Sequence, residues 1–541
     1  MRICTVHSYV AEAFRTLGHE VLALAPPGGA PFDIAAALDA HGFAPDLLFQ
    51  QEPLGPRTLL TGLDKVPGIR IFWAIDTHLN RVWHRCYAQL FDGLATPHRA
   101  RLAPHAAEFP PMRPLPIPGR VLPWTPHADR PRGIGFVGRI TEYRMPRNWL
   151  MEHLRDRHGA EVADGLTVDG MFAFYGQTRL APNEAICDEA NFRLLEAASA
   201  GCLVLSHDAG PDQDDLLAPG AEILVYRHVL ELRELLDWYT AHPEQAERLA
   251  RRAWERIARE HTLRHRALAV LDFAASLSRR AVSATDAAVA MALSQSHMRR
   301  KGMVDTPLDA VRAGLEACPA LPATLAERLR LDAENGNGDA AMQLAAIILD
   351  RALFPDDVDL NLAGSMAALH LGQWEAARRF WQRQTLAAPR RDTLPPETPH
   401  ALHMAWAAIL RRAGRLIMQG AIADPATQLP QTALDCLHAA TLSDAADLEP
   451  IRQAAALLGP VPGTAWMRMG HLARLAMHHP GDWRTGLDLG LANLKANRLD
   501  AGLEECRTAL AAARSSGRED AFIRALSGRD PGGLVLQALG R

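Results

Sequence analysis

The strongest constraint on the fold lies in the first turn of the pattern at the N-terminal end. Met1 to Val6 is a short apolar run, Val10 to Leu17 has helical periodicity, and Gly18-His19 turns the chain into a second apolar run, Glu20 to Ala25. A strand, an amphipathic helix and a strand joined in this way form a β-α-β unit, whose crossover makes the strands parallel and covers the sheet with helices. The alternation continues, with strands expected at Leu47 to Gln50 and at Ile69 to Ile75, the latter running into Asp76-Thr77-His78. Open α/β sheets bind ligands beyond the C-terminal ends of their strands, so Asp76 and His78 are candidate catalytic residues. His7, just past the first strand, would face the same edge.

Nine prolines between Pro104 and Pro131 interrupt this pattern and read as a linker without regular structure. The α/β alternation resumes at Gly133-Ile134-Gly135-Phe136-Val137-Gly138-Arg139. Strands are expected near Phe172 to Tyr175, Leu203 to Ser206 and Ile223 to Tyr226, and helices over Asn191 to Ser199 and Val229 to Thr240. From about residue 285 the β-branched runs vanish, and Ala, Leu and Arg recur with helical period. The expected architecture is α/β, with two Rossmann-like lobes over residues 1–125 and 126–284, followed by an all-α domain over residues 285–541. A chain of 541 residues is too long for one core, and three domains suit its length.

Two stretches of the helical part share a spacing. Asp359-Leu360-Asn361-Leu362-Ala363-Gly364 leads to Gly372-Gln373-Trp374-Glu375-Ala376-Ala377 and Phe380, and Leu487-Asp488-Leu489-Gly490 leads to Asn497-Arg498-Leu499-Asp500-Ala501. This resembles the tetratricopeptide repeat, in which small residues let two helices pack closely and the concave face of the array holds a peptide. The resemblance implies a module that selects a protein acceptor or tethers the chain to an assembly. Trp374, Trp381, Trp406, Trp466 and Trp483 read as packing between repeats.

Charge and cysteine usage exclude several classes. With 58 Lys+Arg against 62 Asp+Glu the net charge is -4, which gives no electrostatic ground for binding nucleic acid or an anionic membrane. The seven cysteines are scattered with no CxxC pair, which argues against a disulfide framework and a zinc site and favours a reducing cytoplasm. Neither a signal sequence nor an apolar run long enough to span a membrane is apparent.

The most informative stretch is Asp188-Glu189-Ala190-Asn191-Phe192-Arg193-Leu194-Leu195-Glu196-Ala197-Ala198-Ser199-Ala200-Gly201, followed by the apolar run Cys202 to Ser206. It reads as an acidic helix whose N-terminus faces the sheet's C-terminal edge, where backbone N–H groups and the helix dipole favour a diphosphate. Glu196 is placed to accept hydrogen bonds from two ribose hydroxyls, and Arg193 to carry charge to the phosphates. The plainer alternatives are a solvated or capping carboxylate for Glu196 and an intrahelical partner, Glu189 or Asp188, for Arg193.

On these residues the chain resembles the GT-B glycosyltransferases of the group-1 type, and within them the CgeB-like branch. Arg193, Glu196, Ala197 and Gly201 match the family's Arg, Glu-Ala and Gly. Of the two acidic residues that the broader pattern places eight positions apart, Glu196 fits the ribose contact. Asp188 stands where the donor-sugar contact is usually Glu. Pro219 to Tyr226, Glu260-His261-Thr262 and His265-Arg266-Ala267 resemble the end of the second lobe, Gly135 to Arg139 its opening strand and turn, and Trp124 to Ala128 the connection between lobes, so that about residues 1–275 are covered. The resemblance implies transfer of a sugar from a nucleotide-diphosphate sugar, with Gly138, Arg139, Asp188, Asn191, Arg193 and Glu196 on the donor. No cofactor and no metal are expected. Asp76 or His78 would act as general base in an inverting transfer and position the reactants in a retaining one; the alternative is that they cap the following helix. Asp212-Gln213-Asp214-Asp215 contains a DxD triplet and reads as a solvated acidic loop. A non-catalytic scaffold is the competing reading of the whole chain, and a dehydrogenase is disfavoured because His7-Ser8-Tyr9, not G-x-G-x-x-G, follows the first strand.

Overall fold

The computed structural model describes residues 1–185, 187–387, 395–419 and 423–540. Contacts group them into two units: residues 1–116 with 266–450, and residues 117–265 with 451–541.

The first unit contains a fully parallel six-stranded sheet in the order β2-β1-β4-β6-β7-β8. Its strands are β1 (Arg2–Val6), β2 (Glu20–Leu24), β4 (Leu47–Gln51), β6 (Ile69–Trp73), β7 (Gly93–Thr96) and β8 (Met112–Pro114). Two further short strands, β3 (Pro31–Asp33) and β5 (Leu59–Thr61), pair with each other. The opening β-α-β unit is present, with Arg2 to Val6 in register with Glu20 to Leu24 across the helix Ala11–Thr16. β8 falls inside the proline-rich stretch expected to lack regular structure. It is an edge strand, bonded only to β7, and an edge can tolerate a residue with no N–H such as Pro114. The helix Ala284–Arg300 supplies Ala290 and Met298 to the same core as Val6, Leu48, Phe72 and Leu94.

The second unit contains a parallel five-stranded sheet in the order β10-β9-β11-β12-β13. Its strands are β9 (Arg132–Val137), β10 (Glu161–Ala163), β11 (Thr178–Asn183), β12 (Leu203–His207) and β13 (Leu224–Tyr226). The strand expected near Phe172 to Tyr175 is instead part of a helix, Val168–Gly176, capped by Thr167, whose hydroxyl accepts from the Gly170 N–H at 3.1 Å. A short apolar run fits either state. Phe172 and Tyr175, three residues apart, bury on one helical face, and the strand begins two residues after that helix ends.

From Ala284 onward the regular elements among the described residues are all helices. At the predicted close approaches, a β-carbon on Gly364 would overlap the Phe380 ring, and one on Gly490 would overlap Cys506 Sγ. The helices Trp483–Lys495 and Leu499–Ser515, with Phe522, Leu526 and Val535, share a core with Val229 and Leu230 of the helix Val229–Ala241. Residues 451–541 therefore complete the packing of the second unit. Among the described residues, no helix is long and apolar enough to cross a membrane.

Candidate functional site: the C-terminal edge of the second sheet

β9 is buried from Ile134 to Val137 and is followed by Gly138, whose N–H donates to the Ala163 carbonyl at 3.1 Å. A β-carbon at Gly138 would overlap the Arg193 guanidinium, so glycine is required for that side chain to reach the strand end. Arg193 donates from Nε to the Val137 carbonyl at 2.8 Å and from Nη1 to Asn183 Oδ1 and the Glu184 carbonyl, both at 2.9 Å, with its guanidinium over the Phe136 ring. It ties the ends of β9 and β11 to its own helix and puts a buried positive charge at the sheet edge.

The helix carrying Arg193 runs from Phe192 to Ser199, within one residue of the expected Asn191 to Ser199. Asn191 caps it, its Oδ1 accepting from the Leu194 N–H at 3.3 Å while its Nδ2 donates to the Glu184 carbonyl at 3.2 Å. Asp188 and Glu189 precede the helix. Cys187 and Asp188 both have left-handed backbone, with φ of 57° and 51°. Glu196 is half-buried one turn into the helix, and burial pushes its carboxyl up to about 7 against the opposing pull of Arg193.

Further arginines gather beside this helix. Arg147, on the helix Met145–His158, donates from Nε to Glu184 Oε2 at 2.6 Å and from Nη1 to the exposed Arg139's carbonyl at 3.0 Å. Arg144 is half-buried, and its pKa is lowered by burial and by Arg147, with Arg139 and Arg193 contributing. A cluster of arginines partly neutralised by one glutamate suits a diphosphate. Behind it, Asn183 donates to Ser206 Oγ at 3.0 Å and Ser206 donates to Gln213 Oε1 at 2.8 Å, a buried chain that joins the ends of β11 and β12 to the DxD turn. Gln213 is buried, while Asp214 and Asp215 are exposed.

In the first unit, Asp76 stands at the N-terminus of the helix Thr77–Tyr87 and makes no side-chain capping bond to it. The turn before it is organised by Glu52, at the end of β4. Glu52 Oε2 accepts from the N–H groups of Ile75 at 2.8 Å and Asp76 at 3.2 Å, and lies 3.3 Å from His84 Nε2; Oε1 accepts from Arg57 Nε at 3.0 Å. Burial raises the Glu52 carboxyl, but His84, Arg57 and the backbone bond outweigh it and hold the group below the usual carboxylate range. His78 is buried edge-on to His98, with ring centroids 4.4 Å apart. His7 has a left-handed backbone and its Nε2 lies 3.0 Å from Thr58 Oγ1.

Residues 134–272 match the family model described as glycosyl transferase-like. Solved structures similar to the chain include a glycosyltransferase from Rickettsia africae ESF-5 and sucrose-phosphate synthase from Thermosynechococcus elongatus. Each has 10% identity and a TM-score of 0.37, over 51% of this chain and 98% of the other. Anabaena HepE in complex with UDP-glucose is similar at 11% identity and a TM-score of 0.36, over 51% of this chain and all of the other. No curated protein sequence matches the chain.

The second unit thus gathers Gly138, Arg193, Asn191 and Glu196 at one sheet edge. Sequence reasoning missed Arg144, Arg147 and Glu184 there, and Glu52 and His98 in the first unit. The spacing of Arg139, Arg144 and Arg147 after a strand and glycine turn was a usable signal for the arginines. Glu52 carried none beyond its place at a strand end.

Proposed function

We propose that the chain is a glycosyltransferase that moves a sugar from a nucleotide-diphosphate sugar to an acceptor. The observation that carries this reading is the glycosyl transferase-like match, which spans every donor-side candidate from Gly138 to Glu196. Glu196 accepts hydrogen bonds from the ribose diol. Arg139 and Arg144, with the N-terminus of the helix Phe192–Ser199, neutralise the diphosphate as it leaves. Arg193 and Asn191 hold these groups in place, and Asp188 faces the donor sugar. The acceptor oxygen attacks the anomeric carbon as the bond from that carbon to the diphosphate oxygen breaks. In an inverting reaction Asp76 or His78 takes the acceptor proton; in a retaining one they position the reactants. Arginines and a helix N-terminus can stabilise the leaving group without a divalent cation. The free cysteines suit a cytoplasmic enzyme. In this reading the helical region is tetratricopeptide-like and selects a protein acceptor.

The test is a thermal-shift and calorimetric screen of the full chain against UDP, GDP, dTDP, CMP and their sugars. A ligand bound only by the folded state raises its melting temperature. Stabilisation by one nucleotide and its sugar supports the enzyme, and loss of that effect in Glu196→Ala supports the site. Silence across the panel turns the reading toward a non-catalytic scaffold.

A further inference from the structure

Two loops at the C-terminal edge of the second sheet are held from outside the α/β fold, by residues of the helical tail. The first is the turn at Cys187-Asp188. The Gly463 N–H donates to Asp188 Oδ2 at 2.6 Å, and a β-carbon on Gly463 would overlap the Cys187 α-carbon. Gly463 itself has φ of 70°. Backbone thus lies directly on backbone, with Gly463 seated against two consecutive non-glycine residues in the left-handed region, a conformation that persists only where surrounding structure enforces it. The loop bearing Gly463 is itself pinned, because the Thr464 hydroxyl lies 2.7 Å from the carbonyl oxygens of both Leu458 and Val461 and its one proton is shared between them.

The second clamp is at the N-terminus of the helix Met145–His158, which follows the arginine-bearing turn. Asn497 Nδ2 donates to the Pro146 carbonyl at 3.1 Å, and the Arg498 guanidinium lies over the Trp149 ring at 5.1 Å. Asn497 is buried and has φ of 70° in the turn between the helices Trp483–Lys495 and Leu499–Ser515.

We infer that residues 451–541 are part of the donor site, and that Gly463 and Asn497 are positioning residues: Gly463 fixes the Asp188 turn on the donor sugar, and Asn497 fixes the arginine turn on the diphosphate. This rests on the donor-site reading above. It separates the two clamps chemically. Loosening Gly463 disturbs recognition of the sugar more than of the bare nucleotide, whereas loosening Asn497 disturbs both, because both carry the diphosphate.

The experiment compares wild type, Gly463→Ala, Asn497→Gly and Gly517→Ala as full chains. Asn497→Gly keeps a residue suited to positive φ and removes only the amide. Gly517→Ala imposes the same kind of backbone cost, at φ of 66°, where a β-carbon meets nothing within 4 Å, and serves as the control for lost stability. Calorimetry measures binding of UDP, GDP and dTDP and of UDP-glucose, UDP-N-acetylglucosamine, GDP-mannose and dTDP-rhamnose, and amide exchange follows residues 187–191. The expected result is an affinity loss on the order of tenfold or more for the sugar nucleotide in Gly463→Ala, with the bare nucleotide little changed and exchange at 187–191 accelerated. Asn497→Gly loses both ligands, and Gly517→Ala loses neither. Wild-type affinity and exchange in both Gly463→Ala and Asn497→Gly overturn the inference and leave the donor reading intact. If wild type binds nothing in the panel, the donor reading falls and the inference with it. Equal losses for sugar nucleotide and bare nucleotide in Gly463→Ala overturn the division of roles.

Discussion

Gly138 and Arg193 fit as a pair: the strand turn lacks a β-carbon where the guanidinium passes on its way to the carbonyls of Val137 and Glu184. Gly138→Ala should therefore displace Arg193 and break hydrogen bonds that join two strand ends. A loss of about 2 kcal/mol in urea unfolding is expected, together with weaker nucleotide binding by calorimetry. Unchanged stability would show that the arginine has another way to reach the strand.

Glu196 gives the site a pH dependence. Its carboxyl is raised to about 7, and the ribose hydroxyls proposed to bind it would donate to the ionised form, so nucleotide affinity should rise between about pH 6 and 8 and level off above that range. Glu196→Gln should bind weakly and show a flat profile. For folding, the same raised pKa has the opposite sense: the folded state keeps a proton that the unfolded chain has lost, so this group's contribution is complete below the ordinary value of 4.5 and is lost as pH rises through 7. A wild-type affinity that is flat over this range, measured by calorimetry, would remove Glu196 from the nucleotide.

The buried pair of Arg147 and Glu184 makes a different prediction. Both side chains are nearly inaccessible, at 4% and 7% exposure, so Glu184→Ala leaves an uncompensated buried guanidinium and should cost about 3 kcal/mol or more. Replacing both partners together, as Arg147→Met with Glu184→Leu, should recover much of the loss in urea unfolding while still weakening nucleotide binding.

In the first unit, Glu52 is held below its ordinary 4.5, so its contribution to stability is present above 4.5 and is lost as pH falls below that value. Melting curves between about pH 3 and 7 should show wild type losing stability on acidification more steeply than Glu52→Gln. If Asp76 takes part in transfer, Glu52→Gln should also lower turnover more than donor affinity, because Glu52 binds the Asp76 N–H.

Much of the fold was legible because short apolar runs bounded by Gly, Pro and Asp gave nearly every long strand, including β1, β4, β6, β9 and β12. The run at Phe172 to Tyr175 misled because four apolar residues carry no period of their own. β11, as long as β9, escaped because the run taken for a strand stood directly before it, and β7 and β8 escaped because one begins at a glycine and the other lies among prolines. In the site, local relations were readable, such as Arg193 and Glu196 three apart on one helix. The ion pair of Arg147 with Glu184 and the contact of Gly463 with Asp188 join distant segments, and no spacing rule in one sequence reveals such pairings.

The grouping of residues 117–265 with 451–541 has a consequence for how the protein is made. Val229 and Leu230 are buried against helices synthesised more than two hundred residues later. A nascent chain that has reached residue 450 carries every segment of the first unit, yet only the α/β part of the second. The lobe bearing Arg193 and Glu196 must wait with an apolar flank uncovered until the last helices leave the ribosome, so chaperone dependence during synthesis should concentrate on that lobe and not on the unit completed first.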